Sequence, residues 1–221
     1  MKHILGYGMQ SGGTTIISSM WFRRPDTDGI LDVHNKKFPC LWFTGKRLLP
    51  NTTVFHQKLT FNARRGFEPE LIVRIVKAAF ETADVKWYLI VRNPFDTISS
   101  LKLKKWGTHW KRKLRKYDRV YKHAKRHGIP IIRYEDFVMN PRGEMMLLFA
   151  ALGVPLDTFD ERASLAPKVF FRAHSDQPSF SASGGAVQRV ARGCTLTESE
   201  RATIRRVCRH VIEAENYKEP E

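Results

Sequence analysis

The sequence predicts an α/β fold in which helices cover both faces of one parallel β-sheet. Three observations predict it: strand-like runs alternate with helical patterns, one run is continuously apolar, and a glycine-rich turn joins the first strand to a helix. The chain has 221 residues, 42% of them apolar, so it can form one sizeable core but is short for two. We therefore expect a single three-layer domain over residues 1–221.

The first half of the chain contains three predicted strands. Residues 2–7 form a short apolar strand that enters the glycine-rich turn at 8–13, and 14–22 follow as a helix. Pro, Gly, Asp and Asn recur through 23–50 and indicate loops with short elements, the kind of segment that shapes a binding site. The other elements predicted in this half are a strand at 53–61, a helix at 68–82 and a buried strand at 85–91.

The second half is predicted to be mainly helical. Pro94 suits the first turn of a helix to about residue 105, and a very basic helix follows from about 110 to 127. A strand at 129–134 precedes a helix that begins at Asn140-Pro141 and stops at Gly153. Residues 167–193 are rich in Ser, Gly and Arg and predict a loop, and a capping box at 197–200 opens the last helix, which extends to about 215.

Composition limits the partners and the compartment. The formal net charge of +16 and the pI of about 10.0 indicate anionic partners such as phosphates, nucleic acid, acidic glycans or a membrane surface. The three cysteines, Cys40, Cys194 and Cys208, form no Cys-x-x-Cys pair, which favours a reducing compartment. No run approaches the roughly 18 apolar residues of a membrane span, and the amino terminus resembles a strand more than a signal peptide. We expect a soluble, cytoplasmic protein.

The glycine-rich turn is a candidate phosphate-binding loop. It matches the frame G-x-x-x-x-G-K-[ST] at every fixed position but one, because Thr14 stands where the frame has lysine. Backbone N–H groups and the positive end of the following helix can still bind a phosphate. The predicted contacts are Gln10, Ser11, Gly12, Gly13, Thr14 and Thr15.

This loop gives the predicted fold a P-loop NTPase-like start but lacks what a nucleoside triphosphatase needs. The lysine that neutralises the β- and γ-phosphates is missing. The best candidate strand for a magnesium-binding aspartate ends in Val91-Arg92-Asn93-Pro94 instead. A P-loop kinase or triphosphatase is therefore an alternative that the loop disfavours.

Two further motifs follow the loop in order. The strand ending in Arg92-Asn93-Pro94 is followed by Ser100, eight residues after the arginine. The second motif is Arg133-Tyr134-Glu135-Asp136, with a proline-led helix at Asn140-Pro141. Together with Gly12-Gly13-Thr14-Thr15, these motifs make the chain from about Ile4 to Pro155 resemble the sulfotransferases that use 3′-phosphoadenosine-5′-phosphosulfate (PAPS).

The resemblance implies a reaction and a donor site. A sulfuryl group would pass in line from PAPS to an acceptor hydroxyl or amine, leaving adenosine 3′,5′-bisphosphate (PAP), and no metal is expected. The loop would hold the 5′-phosphate, and Arg92 and Ser100 would bind the 3′-phosphate. A basic segment before the last helix, with Arg189, Arg192 and Gly193, would add a further phosphate contact. The Glu135-Asp136 pair is expected mainly to support the fold.

The chain departs from the family at two positions that bear on catalysis. Ser11 stands where the family usually has Lys or Arg, so Lys58, which matches a family lysine, is expected to take more of that role. Gln57 stands where several subfamilies have a catalytic glutamate. The remaining candidates for the base are His56, if the strand alternates regularly, and Asp32 and His34 in the predicted loop region. A catalytically silent member of the fold that binds anionic partners is the second alternative.

A dense positive charge marks the segment from Lys102 to Arg126, which has twelve Lys or Arg residues and one acidic residue, Asp118. One interpretation is a solvated helix face. The other is an electrostatic guide for an anionic, hydroxyl-bearing acceptor such as an acidic glycan or a lipid head group. No nucleic-acid-binding motif accompanies the charge, so nucleic acid is not the expected partner. The aromatic residues among the charges would stack on sugars or pack inward: Trp106, Trp110, Tyr117 and Tyr121.

Overall fold

The computed structural model describes residues 1–30, 51–61, 73–74, 77–78, 84–104, 108–157, 159 and 196–219. In these ranges five parallel strands form one sheet in the order β2-β3-β1-β4-β5. The strands are β1 Lys2–Met9, β2 Thr27–Ile30, β3 Val54–Phe61, β4 Asp84–Val91 and β5 Ile131–Arg133. The predicted parallel α/β sheet is thereby confirmed.

Seven helices whose bounds lie within the described residues surround the sheet, and the first of them is followed directly by a 3-10 turn, Trp21–Arg23. The helices are α1 Thr14–Met20, α2 Pro94–Leu103, α3 Trp110–Arg126, α4 Tyr134–Met139, α5 Pro141–Leu152, α6 Glu198–Val207 and α7 Arg209–Ala214. None of these helices is both long and apolar enough to cross a membrane.

Alternate residues of β4 face two separate hydrophobic cores, which makes the molecule three-layered. Trp87 and Leu89 pack with α2, α3, α6 and α7 on one face. Tyr88 and Ile90 pack with α1, α4 and α5 on the other. Because a strand buried on both faces needs apolar side chains at successive positions, the run at 85–91, which is apolar apart from Lys86, predicted this position correctly.

Local capping residues begin and end the helices at the predicted positions. The side chain of Asn93 accepts a hydrogen bond from the Phe95 N–H at the start of α2, and Asn140 caps α5 in the same manner. Gly153 ends α5 with a left-handed φ of 64°, a conformation that glycine adopts without strain. Thr197 and Glu200 form the reciprocal capping box of α6.

Several boundaries differ from the prediction. Strand β1 extends to Met9, two residues beyond its predicted end, and β5 begins at Ile131, two residues after its predicted start. Residues 27–30 form the edge strand β2, one of the short elements expected in the loop region 23–50. The strand predicted to reach residue 134 ends at Arg133, and Tyr134 begins helix α4. The last helix is interrupted at Cys208, where α6 ends and α7 begins. The helix predicted at 68–82 lies largely outside the described residues, although 73–74 and 77–78 are helical.

Candidate functional site

The glycine-rich loop connects β1 to α1 at the carboxyl edge of the sheet. The Gly12 N–H donates to the Met9 carbonyl oxygen over 2.9 Å, which closes the turn. Ser11 and Gly13 have positive φ angles of 64° and 82°, so both residues adopt the left-handed backbone conformation within this turn. The first N–H groups of a helix lack intrahelical partners, and here they belong to residues of the predicted phosphate loop.

Tyr134 packs directly on this loop. A Cβ atom at Gly13 would lie 2.2 Å from Cδ2 of Tyr134, so no side chain fits there. The same aromatic ring lies under the guanidinium of Arg92, with the Arg92 Cζ atom 4.6 Å from the ring centroid. Tyr134 therefore contacts both predicted phosphate-binding elements, although the sequence motif indicated only fold support for its segment.

Arg92 follows β4, the neighbour of β1, and it reaches the loop. Its Nη1 donates a hydrogen bond to the Ser11 carbonyl oxygen over 3.1 Å. The Nε of Arg92 is buried and has no hydrogen-bond partner among the described residues. Because β1 and β4 are adjacent and parallel, their carboxyl ends bring two distant segments of sequence together.

The backbone of Arg92 is held by a residue of the basic helix. The Tyr117 hydroxyl donates to the Arg92 carbonyl oxygen over 2.8 Å and accepts from the Arg92 N–H over 3.1 Å. Burial raises the pKa of Tyr117 well above its ordinary value, as do Tyr217 and other neighbours to a smaller extent, so the phenol stays protonated and can donate. The inward-packing interpretation of Tyr117 is confirmed by its exposure of 1%, and Tyr121 is buried on the same face of the helix.

The residue after Arg92 is braced by the segment 215–219. The Asn93 N–H donates to Glu135 Oε1 over 2.8 Å, and the Asn93 side-chain amide donates to the Lys218 carbonyl oxygen over 2.7 Å. The Tyr217 hydroxyl in turn donates to Glu135 Oε2 over 3.1 Å. Glu135 therefore supports the turn that carries Arg92, which agrees with the expectation that the Glu135-Asp136 pair is mainly structural.

Lys58 approaches the loop from β3 on the other side of β1. Its Nζ donates to the Thr15 hydroxyl over 2.9 Å, and only 4% of the residue is exposed. Thr15 is the second residue of α1, so the ammonium lies at the amino-terminal end of this helix. Lys58 and Arg92 thus come to the glycine-rich loop from the two strands that flank β1.

His56 shares the face of Lys58, as regular strand alternation predicted, but it lies inside the core. It is 0% exposed, stacks on Trp21 at 5.0 Å between ring centroids, and its Nε2 lies 3.1 Å from the Tyr88 hydroxyl. Burial, followed by the charges of His3 and Lys58, lowers the pKa of His56 well below its ordinary value. An imidazole so enclosed is poorly placed to take a proton from an acceptor.

Lys113 is a site residue that the sequence analysis missed. Its Nζ donates to the Gln10 side-chain oxygen over 3.0 Å, and burial lowers the pKa of this lysine. Helical spacing could have indicated that this lysine faces inward, because Lys113 lies one turn before the inward-facing Tyr117. The run of charged neighbours concealed that signal.

The remaining predicted residues divide into two groups. Ser100 is 4% exposed and lies on α2, about two turns after Arg92. Five others lie outside the described residues and stay predictions: Asp32, His34, Arg189, Arg192 and Gly193. Within the described ranges, no group of three or more His, Cys, Asp or Glu residues could hold a metal ion.

Comparison with known proteins identifies the fold. No protein-family model matches the sequence, and no curated protein matches it. The sulfotransferase domain of the olefin synthase from Synechococcus PCC 7002 superposes with a TM-score of 0.57 at 12% identity, covering 100% of this chain and 96% of that one. A sulfotransferase from Alicyclobacillus acidocaldarius gives 0.52 at 14% identity, with coverages of 98% and 99%.

A third similar structure is that of the mouse sulfotransferase SULT7A1 complexed with PAP. It gives a TM-score of 0.55 at 15% identity and covers 93% of this chain and 82% of that one. These likenesses extend over nearly the whole chain although few residues are identical. The chain has the sulfotransferase fold.

Proposed function

We propose that this chain, which has the sulfotransferase fold, transfers a sulfuryl group from PAPS to an acceptor hydroxyl or amine. The observation that carries the proposal is the approach of two cationic side chains to one glycine-rich loop. Arg92 binds the Ser11 carbonyl oxygen and Lys58 binds the Thr15 hydroxyl. An anion held by the loop amides would therefore lie between a guanidinium and an ammonium, which stabilise negative charge strongly where water is excluded.

The donor would span two strand–helix junctions. The amides at the start of α1 would hold the 5′-phosphate, while Arg92 and Ser100 would bind the 3′-phosphate. The buried Nε of Arg92, which has no partner in the described part of the chain, is a donor that this phosphate could satisfy. The similar mouse enzyme whose structure contains PAP supports the choice of nucleotide.

The chemical step requires charge stabilisation on the leaving oxygen. An acceptor oxygen or nitrogen forms a bond to sulfur as the bond from sulfur to the 5′-phosphate oxygen breaks, and the electron pair of that bond leaves on PAP. Lys58 is placed at the amino terminus of α1, where it can stabilise this developing charge. The acceptor proton passes to a base. Since His56 is enclosed in the core, we assign that role to Asp32 or His34 ahead of His56.

Nucleotide binding tests whether PAPS is the donor and distinguishes this proposal from the kinase alternative. We expect PAP to raise the melting temperature of the protein, because ligand that binds only the folded state stabilises it. Adenosine 5′-monophosphate should raise it less, since it lacks the 3′-phosphate. Stabilisation by ATP with Mg²⁺ and none by PAP would overturn the proposal.

Turnover separates an active enzyme from a silent relative. Labelled PAPS is incubated with a panel of hydroxyl acceptors that includes acidic polysaccharides, glycolipids and small phenols, and labelled product is measured. We expect transfer of the labelled sulfuryl group to at least one class of acceptor. Binding of PAP without transfer to any of them, or hydrolysis of PAPS, would identify the silent protein instead.

A further inference from the structure

Lys113 is one of two buried lysines on α3, and the other, Lys116, is 8% exposed. Lys111 and Arg115, two residues to either side, are exposed to solvent, whereas only 5% of Lys113 is exposed. An amphipathic helix normally directs its charged residues outward and its apolar residues inward. Removing an ammonium group from water costs free energy, so a lysine at such a position suggests a role that an apolar residue could not fulfil.

The contact of Lys113 brings its charge to the glycine-rich loop. Its Nζ lies 3.0 Å from Oε1 of Gln10, the residue that precedes Ser11. The amide oxygen of Gln10 accepts this hydrogen bond, so the contact orients the ammonium toward the beginning of the loop. Gln10 therefore positions the ammonium group of Lys113 at the beginning of the loop.

The loop itself contains no cation. Residues 8–15 include neither Lys nor Arg, and Thr14 occupies the position where the phosphate-loop frame has lysine. Positive charge at the loop must come from other elements. Lys58 contacts the end of the loop that enters α1, where it binds Thr15. Lys113 contacts the beginning of the loop, where it binds Gln10.

Helix α3 also connects this loop to Arg92. Tyr117, one turn after Lys113, binds both backbone groups of Arg92. A single rigid helix therefore holds the first residues of the loop with one side chain and the Arg92 junction with another. The spacing of four residues places these two side chains on the same face of α3.

We propose that Lys113 supplies the positive charge that the glycine-rich loop lacks, and that it binds the 5′-phosphate end of the donor. This inference rests on the proposed function. It gives part of the basic helix a specific role: Lys113 belongs to the donor site, while the exposed charges on the opposite face do not. Gln10 is a positioning residue in this arrangement.

Two nucleotides and three variants test the proposal by isothermal titration calorimetry. Lys113→Met should weaken the binding of PAP about 10-fold or more, because a charge-assisted contact is lost. Its affinity for adenosine 3′-monophosphate, which has no 5′-phosphate, should remain that of the wild type. Lys113→Arg should retain most of the PAP affinity, since it keeps the charge. Lys111→Met removes one charge from the exposed face of the same helix and should match the wild type.

A compensating substitution distinguishes a charge from a structural role. Ser11→Lys in the Lys113→Met background places an ammonium in the loop itself, and we expect it to restore PAP affinity by about 10-fold. Melting temperatures show whether each variant is folded; if the double variant is not, the Lys113→Arg result decides. Equal losses for the two nucleotides, or unchanged PAP affinity in Lys113→Met, would overturn the inference while leaving the proposed function intact. Failure of the wild-type protein to bind PAP would remove both.

Discussion

Arg92 Nη1 donates a hydrogen bond to the backbone carbonyl oxygen of Ser11, 3.1 Å away, although 81 residues separate the two in the chain. This contact joins the β1–α1 loop to the β4–α2 junction. A bisphosphorylated nucleotide could bridge them only if the two junctions lay on the same side of the sheet. The parallel pairing of β1 with β4 places them there.

Arg92→Ala tests the assignment of the 3′-phosphate. We expect this substitution to weaken PAP binding about 10- to 100-fold, since a charged hydrogen-bonding group is lost, and to weaken adenosine 5′-monophosphate binding much less. Titration calorimetry with both nucleotides measures the difference. Arg126→Ala, an exposed arginine on α3, serves as the control. Equal losses for the two nucleotides would remove Arg92 from the 3′-phosphate site.

Tyr117→Phe tests whether the backbone of Arg92 must be held in place. The substitution leaves two backbone groups of Arg92 without the phenol, so we expect the free energy of unfolding to fall by about 1–3 kcal/mol and PAP to bind more weakly. Tyr121→Phe removes the neighbouring phenol, which donates to Glu215. That control should lower stability and leave PAP affinity unchanged. Urea denaturation measures the stability of each variant, and titration calorimetry measures its affinity for PAP. Equal losses of PAP affinity in the two variants would contradict the positioning role of Tyr117.

Lys58→Met tests the stabilisation of the leaving group. Because the ammonium lies at the amino terminus of α1, its loss should lower kcat about 100-fold. Single-turnover measurements with PAPS and any acceptor found active give this rate. Lys86→Met removes a lysine near the amino-terminal end of β4, where its Nζ donates to the Leu152 carbonyl oxygen, and should retain full turnover. A rate unchanged by Lys58→Met would assign the charge to other groups.

Acid should destabilise the protein through His3. Burial lowers the pKa of His3 from 6.5 to about 4, so the unfolded chain binds more protons than the folded protein between those values. The free energy of unfolding should therefore be unaffected by His3 above pH 6.5, fall as the pH drops below it, and lose about 3 kcal/mol near pH 4. His56, whose pKa is also lowered, acts in the same direction.

The comparison of His3→Phe with the wild type isolates this effect. Phenylalanine can keep the aromatic contact with Phe55, whose ring centroid lies 5.1 Å from that of His3, and it does not titrate. Urea denaturation at pH 7.5 and at pH 4.5 should show a smaller loss of stability for the variant than for the wild type. His127→Gln, at an exposed position, should lose as much as the wild type. Parallel losses in all three proteins would show that His3 is not responsible.

The sequence predicted the elements whose local signals agree with their tertiary environment. The apolar run of β4, the cap at Asn140 and the glycine-rich turn each have a local cause that the fold preserves. Strand β2 was expected only as an unspecified short element, because it has four residues at the sheet edge, where pairing with β3 overrides the turn propensity of Asp28 and Gly29. The intrinsic propensity of a segment carries no information about whether a partner strand lies beside it.

The candidate site was predictable where it depends on motifs and not where it depends on packing. Arg92 belongs to a sequence motif, and the structure places it at the loop. Lys113 belongs to no such motif, and the motif that contains Tyr134 indicated only fold support. Both residues contact loop residues about a hundred or more positions away in the chain, which no local pattern shows. His56 illustrates the opposite case, because its residue type suggested a base and only its surroundings show that it is enclosed.

The brace at Asn93 has a consequence for biosynthesis. The Asn93 side-chain amide donates to the Lys218 carbonyl oxygen, and the Tyr217 hydroxyl holds Glu135, which accepts from the Asn93 N–H. A ribosome adds Tyr217 and Lys218 after all five described strands have been made. Until those two residues have been added, the turn that carries Arg92 lacks this support. Competence to retain a nucleotide would then require residues up to 218, and a chain cut after residue 214 should capture PAP more weakly than the full chain in a pull-down on immobilised nucleotide.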